Sequence, residues 1–263
     1  MTLQPGKLIL AKDYPADDDA RAYVAAVESA DGQSLEPAVI SAYDNFIVGC
    51  KADGIWDAIK ASCILAGART LSGALVPLVG TAPTNNGPFL AADYDRKTGL
   101  VGDGSTKYLN SNRNNAADLK DNCHLAIWKS DTTSAVNPYF IGCGTNGFVI
   151  NNAVGQNGMY SNSGAPFAIA PNDSSAIGLH GHSRSSSSSV NYKRPGSSVS
   201  TVSNTTDVTQ PTEFNYVFSL SNAGTPALYT ASRFAFYSIG SNLDLALLEA
   251  RVSTLISDLG AAI

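Results

Sequence analysis

Carboxylate side chains could catalyse the hydrolysis of polysaccharides if two of them were correctly placed. Jelly-roll enzymes that cleave polysaccharides place two carboxylates on one strand with a single residue between them, so that both point into the cleft. Asp93 and Asp95 have this spacing, but they lie beside Arg96 and Lys97 in a predicted turn. The four glutamates stand apart in predicted helices or turns, at Glu28, Glu36, Glu213 and Glu249. The sequence therefore argues against a glycosidase.

The three histidines raise two further possibilities, acid–base catalysis and metal binding. A Ser/His/Asp triad is assembled in space, so sequence order alone does not exclude it, but the chain has no Gly-x-Ser-x-Gly motif. His180 and His182 are two residues apart and would share one face of a strand, where a third ligand would complete a metal site. The alternative is a loop, which Gly178, Gly181 and the nearby serines favour. No catalytic residue, metal ligand or cofactor is predicted.

The four cysteines, Cys50, Cys63, Cys123 and Cys143, include no Cys-x-x-Cys pair of the kind found in zinc or redox sites. Buried thiols are the favoured interpretation, and a disulfide framework is the alternative.

Composition restricts the partners of the protein. The chain has 263 residues, of which only 15% are charged, and its net charge is −5. Without a basic stripe to displace counterions from phosphate, nucleic acid is not an expected partner. Lys193 and Arg194 come closest to such a stripe and are expected to be solvated. The N-terminus has no signal-peptide pattern, and no apolar run reaches the roughly 20 residues that span a bilayer, so membrane insertion is not expected.

Three helices are predicted before residue 62. Three aspartates at positions 17–19 precede an apolar stripe that ends near Gly32, which indicates the first helix. Pro37 in a first turn and Gly49 as a stop indicate the second. Ile55, Trp56 and Ile59 indicate a short third helix, with Trp56 in the core rather than exposed for stacking on a sugar.

The rest of the chain reads as short strands with one closing helix. Strand candidates recur every 8 to 12 residues with turn residues between them, as in all-β domains. They are residues 99–101, 107–109, 124–128, 139–142, 148–150, 167–170, 176–179, 190–192, 199–202, 215–220 and 234–237. The predicted fold is mainly β, an antiparallel jelly roll or β-sandwich with an N-terminal helical region and a C-terminal helix. The predicted divisions are a helical assembly region at 1–62, a connecting segment at 63–92, the sandwich at 93–240 and the closing helix at 241–263.

The closing helix carries an apolar stripe at alternating spacings of three and four residues, with Asn242 as its expected N-cap and Gly260 as its expected stop. The stripe comprises Leu245, Leu248, Val252, Leu255 and Leu259. We expect it to pack either on the sandwich or on a neighbouring subunit, and these five residues are the candidate oligomer interface.

Three motifs give the chain a resemblance to a known family. They are Gly99-Leu-Val-Gly-Asp-Gly-Ser-Thr-Lys-Tyr-Leu-Asn110, His124-Leu-Ala-Ile-Trp128, and Arg233-Phe-Ala-Phe-Tyr-Ser-Ile-Gly240 followed by Leu243-Asp244. They resemble the concanavalin A-like, laminin G-like jelly rolls of bacteriophage virion proteins. The helical segments around Trp56 and Leu75 resemble the region that precedes such domains.

The resemblance implies a non-enzymatic virion protein, made in the host cytoplasm and assembled with other virion proteins, with a trimer as one possible homo-oligomer. The leading hypothesis is a tail fibre or baseplate component that attaches to a host surface, with a surface glycan as a possible ligand. A head decoration (cement) protein and a carbohydrate-active enzyme are the alternatives. Attachment would use loops at residues 151–162 and 183–189, whose candidate ligand-binding residues are Asn151, Asn152, Tyr160, Asn162 and Arg184.

Overall fold

The computed structural model describes residues 14–133, 139–144, 148–151, 158–162, 167–168, 176–203 and 209–263. The helices are α1 (Asp18–Asp31), α2 (Pro37–Ala52), α3 (Leu71–Ala74) and α4 (Leu245–Ala262). The strands are β1 (Ile59–Ile64), β2 (Thr84–Asn86), β3 (Tyr94–Asp95), β4 (Gly99–Val101), β5 (Tyr108–Asn114), β6 (Cys123–Lys129), β7 (Tyr139–Cys143), β8 (Phe148–Asn151), β9 (Gly158–Ser161), β10 (Phe167–Ala168), β11 (Gly178–Ser186), β12 (Ser189–Lys193), β13 (Ser200–Ser203), β14 (Phe214–Val217), β15 (Leu220–Asn222), β16 (Thr225–Ala227) and β17 (Arg233–Gly240).

The strands form two sheets. Sheet A has eight strands in the order β13-β12-β11-β6-β17-β4-β3, and β1 also pairs with β17. Sheet B has nine strands, with the path β10-β9-β8-β7-β14-β5-β2; β15 also pairs with β7, and β16 pairs with β15. The prediction of a mainly β protein with helices before and after the strands is confirmed.

Three layers result, because sheet A is covered on both faces. In β6, Leu125 and Ile127 point into the core between the two sheets. Ala126 and Trp128, one residue out of phase, point into a second core that contains the helices. On that side the rings of Phe46 in α2 and Phe236 in β17 meet edge to face, with centroids 5.7 Å apart. The helices therefore pack on the outer face of sheet A, and β6 is buried on both faces rather than on one.

The ends of the helices follow from local chemistry. The Asp17 carboxylate accepts hydrogen bonds from the backbone N–H groups of Asp19 and Ala20, which caps α1. Gly32 ends α1 in the left-handed conformation, with φ of 66°. Asp244 caps α4 in the same manner as Asp17 caps α1, so the expected cap at Asn242 is two residues early. The helix also continues through Gly260, where a stop was expected.

The predicted third helix is wrong. Gly54, with φ of 71°, turns the chain after α2, and Trp56–Ala58 forms one 3₁₀ turn that leads directly into β1. Strand β1 pairs with β17 from Ile59 to Ile64. The predicted boundary after residue 62 therefore falls inside a strand of sheet A. Trp56 is half-buried at the surface of the helical layer and not a core residue.

The leucine stripe of α4 faces the chain's own core. Its five side chains are at most 1% exposed, and they pack in the same core as α1, α2 and the outer face of sheet A. Side chains buried within one chain cannot also line a contact with another subunit. The prediction of an oligomer interface at Leu245, Leu248, Val252, Leu255 and Leu259 is therefore corrected, and packing on the sandwich, the other expectation, is what the structure shows.

Candidate functional site

The outer face of sheet B is the surface that the fold leaves open for binding. The core that contains the helices takes its strand residues from sheet A, whereas the buried side chains of sheet B meet sheet A in the core between the sheets. Among the described residues, that helical core includes no side chain from sheet B. The outer side chains of β2, β5 and β14 therefore face solvent or one another.

Strand register places aromatic and amide side chains together on this face. Tyr108 of β5 pairs with Asn86 of β2, and Tyr216 of β14 pairs with Asn110 of β5. Cross-strand partners lie on the same side of a sheet, and neighbours along a strand alternate between sides. Leu109, between Tyr108 and Asn110, is fully buried in the core between the sheets. Tyr108, Asn110 and their partners thus share the outer face.

Three tyrosines form a cluster there. The rings of Tyr108 and Tyr216 have centroids 4.6 Å apart and an interplanar angle of 38°. The ring of Tyr229 meets Tyr108 edge-on at 6.3 Å. Tyr216 is largely covered, and its hydroxyl donates a 2.9 Å hydrogen bond to the carbonyl of Gly224 in the β15–β16 turn. Tyr108 and Tyr229 remain partly exposed, so this cluster presents aromatic surface to solvent.

The phenol groups of Tyr108 and Tyr229 stay protonated at neutral pH. Burial raises the pKa of Tyr108, and the nearby Tyr216 raises it further. Burial also raises the pKa of Tyr229, with a contribution from the negative charge of Asp103. A neutral phenol both donates and accepts hydrogen bonds. The hydroxyls of Tyr108 and Tyr229 are therefore suited to polar recognition rather than to acid–base chemistry near pH 7.

Asparagines complete the face. The Oδ1 of Asn110 accepts a 2.9 Å hydrogen bond from the backbone N–H of Asn112. The Nδ2 of Asn86 donates a 2.9 Å hydrogen bond to the carbonyl of Thr84. Within the part of the chain that the structure describes, the Nδ2 of Asn110 and the Oδ1 of Asn86 take no further partner. One donor and one acceptor are thus presented beside the tyrosine rings.

The turn before β5 fixes the position of Tyr108. Burial would raise the pKa of Asp103, but the Thr106 hydroxyl and the backbone N–H groups of Ser105, Thr106 and Lys107 all donate to its carboxylate and hold the pKa well below its usual range. The oxygens of Asp103 are thereby occupied inside the turn. This carboxylate orders the entry to β5 and has a structural role.

The predicted ligand-binding residues lie elsewhere. Asn152 falls outside the described residues, as do the side chains of Asn151 and Tyr160. Asn162 is buried with φ of 53°, and its side-chain oxygen accepts a hydrogen bond from Asn115 at 3.1 Å. A side chain buried in this way is a packing element, so Asn162 is corrected as a surface contact.

Arg184 is the second correction. Its side chain is fully buried, and its guanidinium donates to the carbonyls of Asn162, Ser186 and Ser187 at 2.9 to 3.0 Å. The carboxylate of Asp121 lies 3.0 Å away, within ion-pair distance. This arginine holds the β11–β12 hairpin to the end of β9 from inside the protein and is not exposed at a hairpin tip.

The other chemistry-bearing residues are also internal. His180 packs edge-on against Phe140, with ring centroids 5.4 Å apart. Across the described part of the chain, no three His, Cys, Asp or Glu side chains are grouped as metal ligands. All four cysteines are buried thiols that no disulfide links, as predicted. Lys193, expected to be solvated, is buried and pairs with Glu249 of α4 at 2.7 Å.

Sequence reasoning missed the tyrosine cluster. The period of two along a strand places Tyr108 and Asn110 on the face opposite to Leu109, and Tyr216 on the face opposite to Val217. The polar–apolar pattern does not mark that face as open, because the polar Ser111 and Asn215 lie on the buried side. Tyr229 lies outside any strand, so only the folded chain brings it to the same place.

Among the described residues, no helix combines the length and the apolarity needed to cross a membrane.

The chain matches no family model, and a search of curated proteins finds no match either.

Proposed function

We propose that this protein is a non-enzymatic component of a bacteriophage particle, built on a concanavalin A-like jelly roll, and that the outer face of sheet B attaches it to a glycan on the host surface. One observation carries the attachment step, namely the tyrosine cluster beside asparagine amides on a sheet face that the helical layer does not cover. The motif resemblance around Gly99–Asn110 and Arg233–Gly240 supports the assignment to a virion.

The chemistry of the face fits a neutral sugar. A pyranose ring has one face of C–H groups that packs on an aromatic ring, and its hydroxyls at the ring edge need hydrogen-bond donors and acceptors. Tyr108 and Tyr229 provide the aromatic surface, and Asn86 and Asn110 provide an amide acceptor and an amide donor. Tyrosine and asparagine also form adaptable contacts at low entropy cost. No part of this arrangement requires bond cleavage.

The first test is binding of the purified protein to a panel of bacterial surface polysaccharides. We expect one class to bind, and we expect the Tyr108→Ala/Tyr229→Ala variant to bind it about 5- to 150-fold more weakly, since each of the two aromatic contacts contributes about 0.5–1.5 kcal/mol. Tyr14→Ala is the matched control, because Tyr14 is an exposed tyrosine at the start of the helical layer. Equal binding by the double variant and the wild type would contradict the assignment of the face.

Two further measurements separate this proposal from its alternatives. Release of reducing sugar from any polysaccharide of the panel would identify a carbohydrate-active enzyme. Mass spectrometry of purified particles gives the copy number relative to the major shell protein. We expect a small fraction of the shell copy number, as for a tail component. A copy number equal to that of the shell would indicate head decoration, and absence from the particle would contradict the virion assignment.

A further inference from the structure

A groove crosses the helical layer, on the side of the sandwich opposite to the tyrosine cluster. Its larger part, of about 390 Å³, lies between α1 and residues 77–79. Its smaller part, of about 260 Å³, lies between Lys51 and Asp57. Trp56 and Asp19 line both parts, so the indole ring stands between them. We call this surface the Trp56 groove.

The larger part of the Trp56 groove has apolar walls of small side chains. Ala22 and Ala26 lie one turn apart on α1, and Pro77 and Val79 face them from the opposite side. Because the alanines are short, these walls leave a space of about 390 Å³, which is large enough for an aliphatic side chain. This part of the groove is suited to a Leu, Ile or Val side chain rather than to a polar group.

The smaller part of the groove is acidic. Lys51 lies with its Nζ 5.7 Å from the centre of the Trp56 ring, where a cation is attracted to the indole. Its charge is already balanced, because Asp17 and Asp19 pair with the same Nζ at 2.7 Å and 2.6 Å. Asp57 is exposed and has no ion-pair partner among the described residues. With Asp57 counted, this part of the groove and its rim carry three carboxylates and one ammonium, and the groove retains a net negative charge.

We propose that the Trp56 groove docks a polypeptide segment of another protein in which a basic residue neighbours an aliphatic one. The aliphatic side chain lies between α1 and residues 77–79, and the cation lies beside the exposed Asp57, with Asp19 at the junction of the two parts. Charge complementarity selects the basic residue, and the alanine walls select the aliphatic one. The identification of that partner as another component of the particle rests on the proposed function, whereas the chemistry of docking rests on the groove alone.

Nuclear magnetic resonance of the ¹⁵N-labelled full chain tests the docking. The protein has two tryptophans, so the indole region of the spectrum holds two signals, and Trp56→Phe assigns them. The probe is the peptide acetyl-Leu-Arg-Leu-Arg-amide, with acetyl-Leu-Gln-Leu-Gln-amide as its neutral match. We expect the basic peptide to shift the Trp56 signal in a saturable manner and to leave the signal of buried Trp128 in place.

Two charge variants locate the binding site. Asp57→Asn should weaken binding of the basic peptide by about two- to fivefold, as for one partly exposed charge pair. Asp258→Asn removes a carboxylate from α4, outside the groove, and should leave the affinity unchanged. In Trp56→Ala the backbone signals of Ala22 and Ala26 should no longer respond to the peptide. A thermal unfolding curve confirms that each variant is folded.

Three results would overturn the proposal. They are equal shifts with the neutral peptide, equal weakening by Asp57→Asn and Asp258→Asn, and the absence of any Trp56 shift at millimolar peptide. Spermidine shifting the Trp56 signal as strongly as the peptide would also overturn it, because the groove would then bind a diffusible polycation. Polysaccharide binding, measured separately on the same variants, distinguishes a failure of the docking proposal from a failure of the glycan proposal.

Discussion

His124 is fully buried at the start of β6, and both nitrogens of its ring are occupied. Its Nδ1 donates to the carbonyl of Ser241 at 2.5 Å, and its Nε2 accepts from the hydroxyl of Ser238 at 2.7 Å. This pattern suits the neutral ring. Burial lowers the pKa of His124 to about 4, well below its usual value near 6.5.

The lowered pKa makes His124 a source of acid sensitivity. The unfolded chain takes up a proton near pH 6.5 and the folded chain only near pH 4, so stability falls as the pH drops through this interval and levels off below it. The expected loss between pH 7 and pH 4.5 is about 2–3 kcal/mol. Urea unfolding of the wild type and of His124→Gln at both pH values measures it. The variant should lose less stability than the wild type by that amount, and identical losses would refute the role of His124.

Arg184 gives a prediction that separates folding from binding. Arg184→Met leaves three backbone carbonyls without their donors and Asp121 without its cation, so the free energy of unfolding should fall by about 2–4 kcal/mol. Arg184→Lys keeps the charge but not the planar arrangement of donors, and an intermediate loss is expected. Polysaccharide affinity of the folded Arg184→Lys variant should equal that of the wild type. A loss of affinity with unchanged stability would restore Arg184 as a ligand contact.

The sequence did not reveal the burial of these polar side chains. Arg184 and Lys193 lie in serine-rich or charged stretches that read as exposed. They are buried because β11 and β12 are paired on both sides within sheet A, between β6 and β13, and because the end of β9 covers Arg184 and α4 covers Lys193. A local pattern carries no information about which other element will cover a strand.

At the scale of elements, α4 shows what periodicity can predict. Its stripe of five apolar residues was readable from the spacing, and each of them is buried. The spacing did not predict which surface the stripe packs against, because a coiled coil and a helix docked on its own domain have the same spacing of apolar residues. The structure resolves this alternative in favour of docking within the chain.

Leu248→Ala tests that docking. Truncation of a fully buried leucine should lower the free energy of unfolding by about 2–4 kcal/mol. The molar mass of the purified protein in solution should not change. Leu247→Ala is the matched control, because Leu247 is 37% exposed on the same helix and its loss should cost about 0.5 kcal/mol or less. Chemical unfolding and light scattering after gel filtration measure the two quantities. Dissociation of an oligomer by Leu248→Ala would contradict the assignment.

Strand β1 shows where local pattern fails. Ile55, Trp56 and Ile59 have helical spacing, yet the chain turns at Gly54 and the following residues pair with β17. The residues of β17 that pair with β1 lie 172 to 181 positions further along the chain, so a local reading of residues 55–64 could not include them. The central strands β6 and β17 were predicted correctly because their apolar runs are long enough to need no such context.

At the scale of the whole molecule, the three layers give the protein two different outer surfaces. The helical layer covers sheet A and carries the acidic Trp56 groove. Sheet B exposes tyrosine rings and amides on the other side of the sandwich. A protein that joins a particle to a host surface needs two such sides, one for each partner. In the proposed arrangement the helical layer faces the particle and sheet B faces the host.

The most direct test of this account is competition for host adsorption. Purified protein, added before the phage, should reduce adsorption of the particles to host cells in a concentration-dependent manner. Tyr14→Ala should compete as well as the wild type, and Tyr108→Ala/Tyr229→Ala should require about 5- to 150-fold more protein for the same effect. If the double variant competes as well as the wild type, sheet B is not the attachment surface and the central claim is wrong.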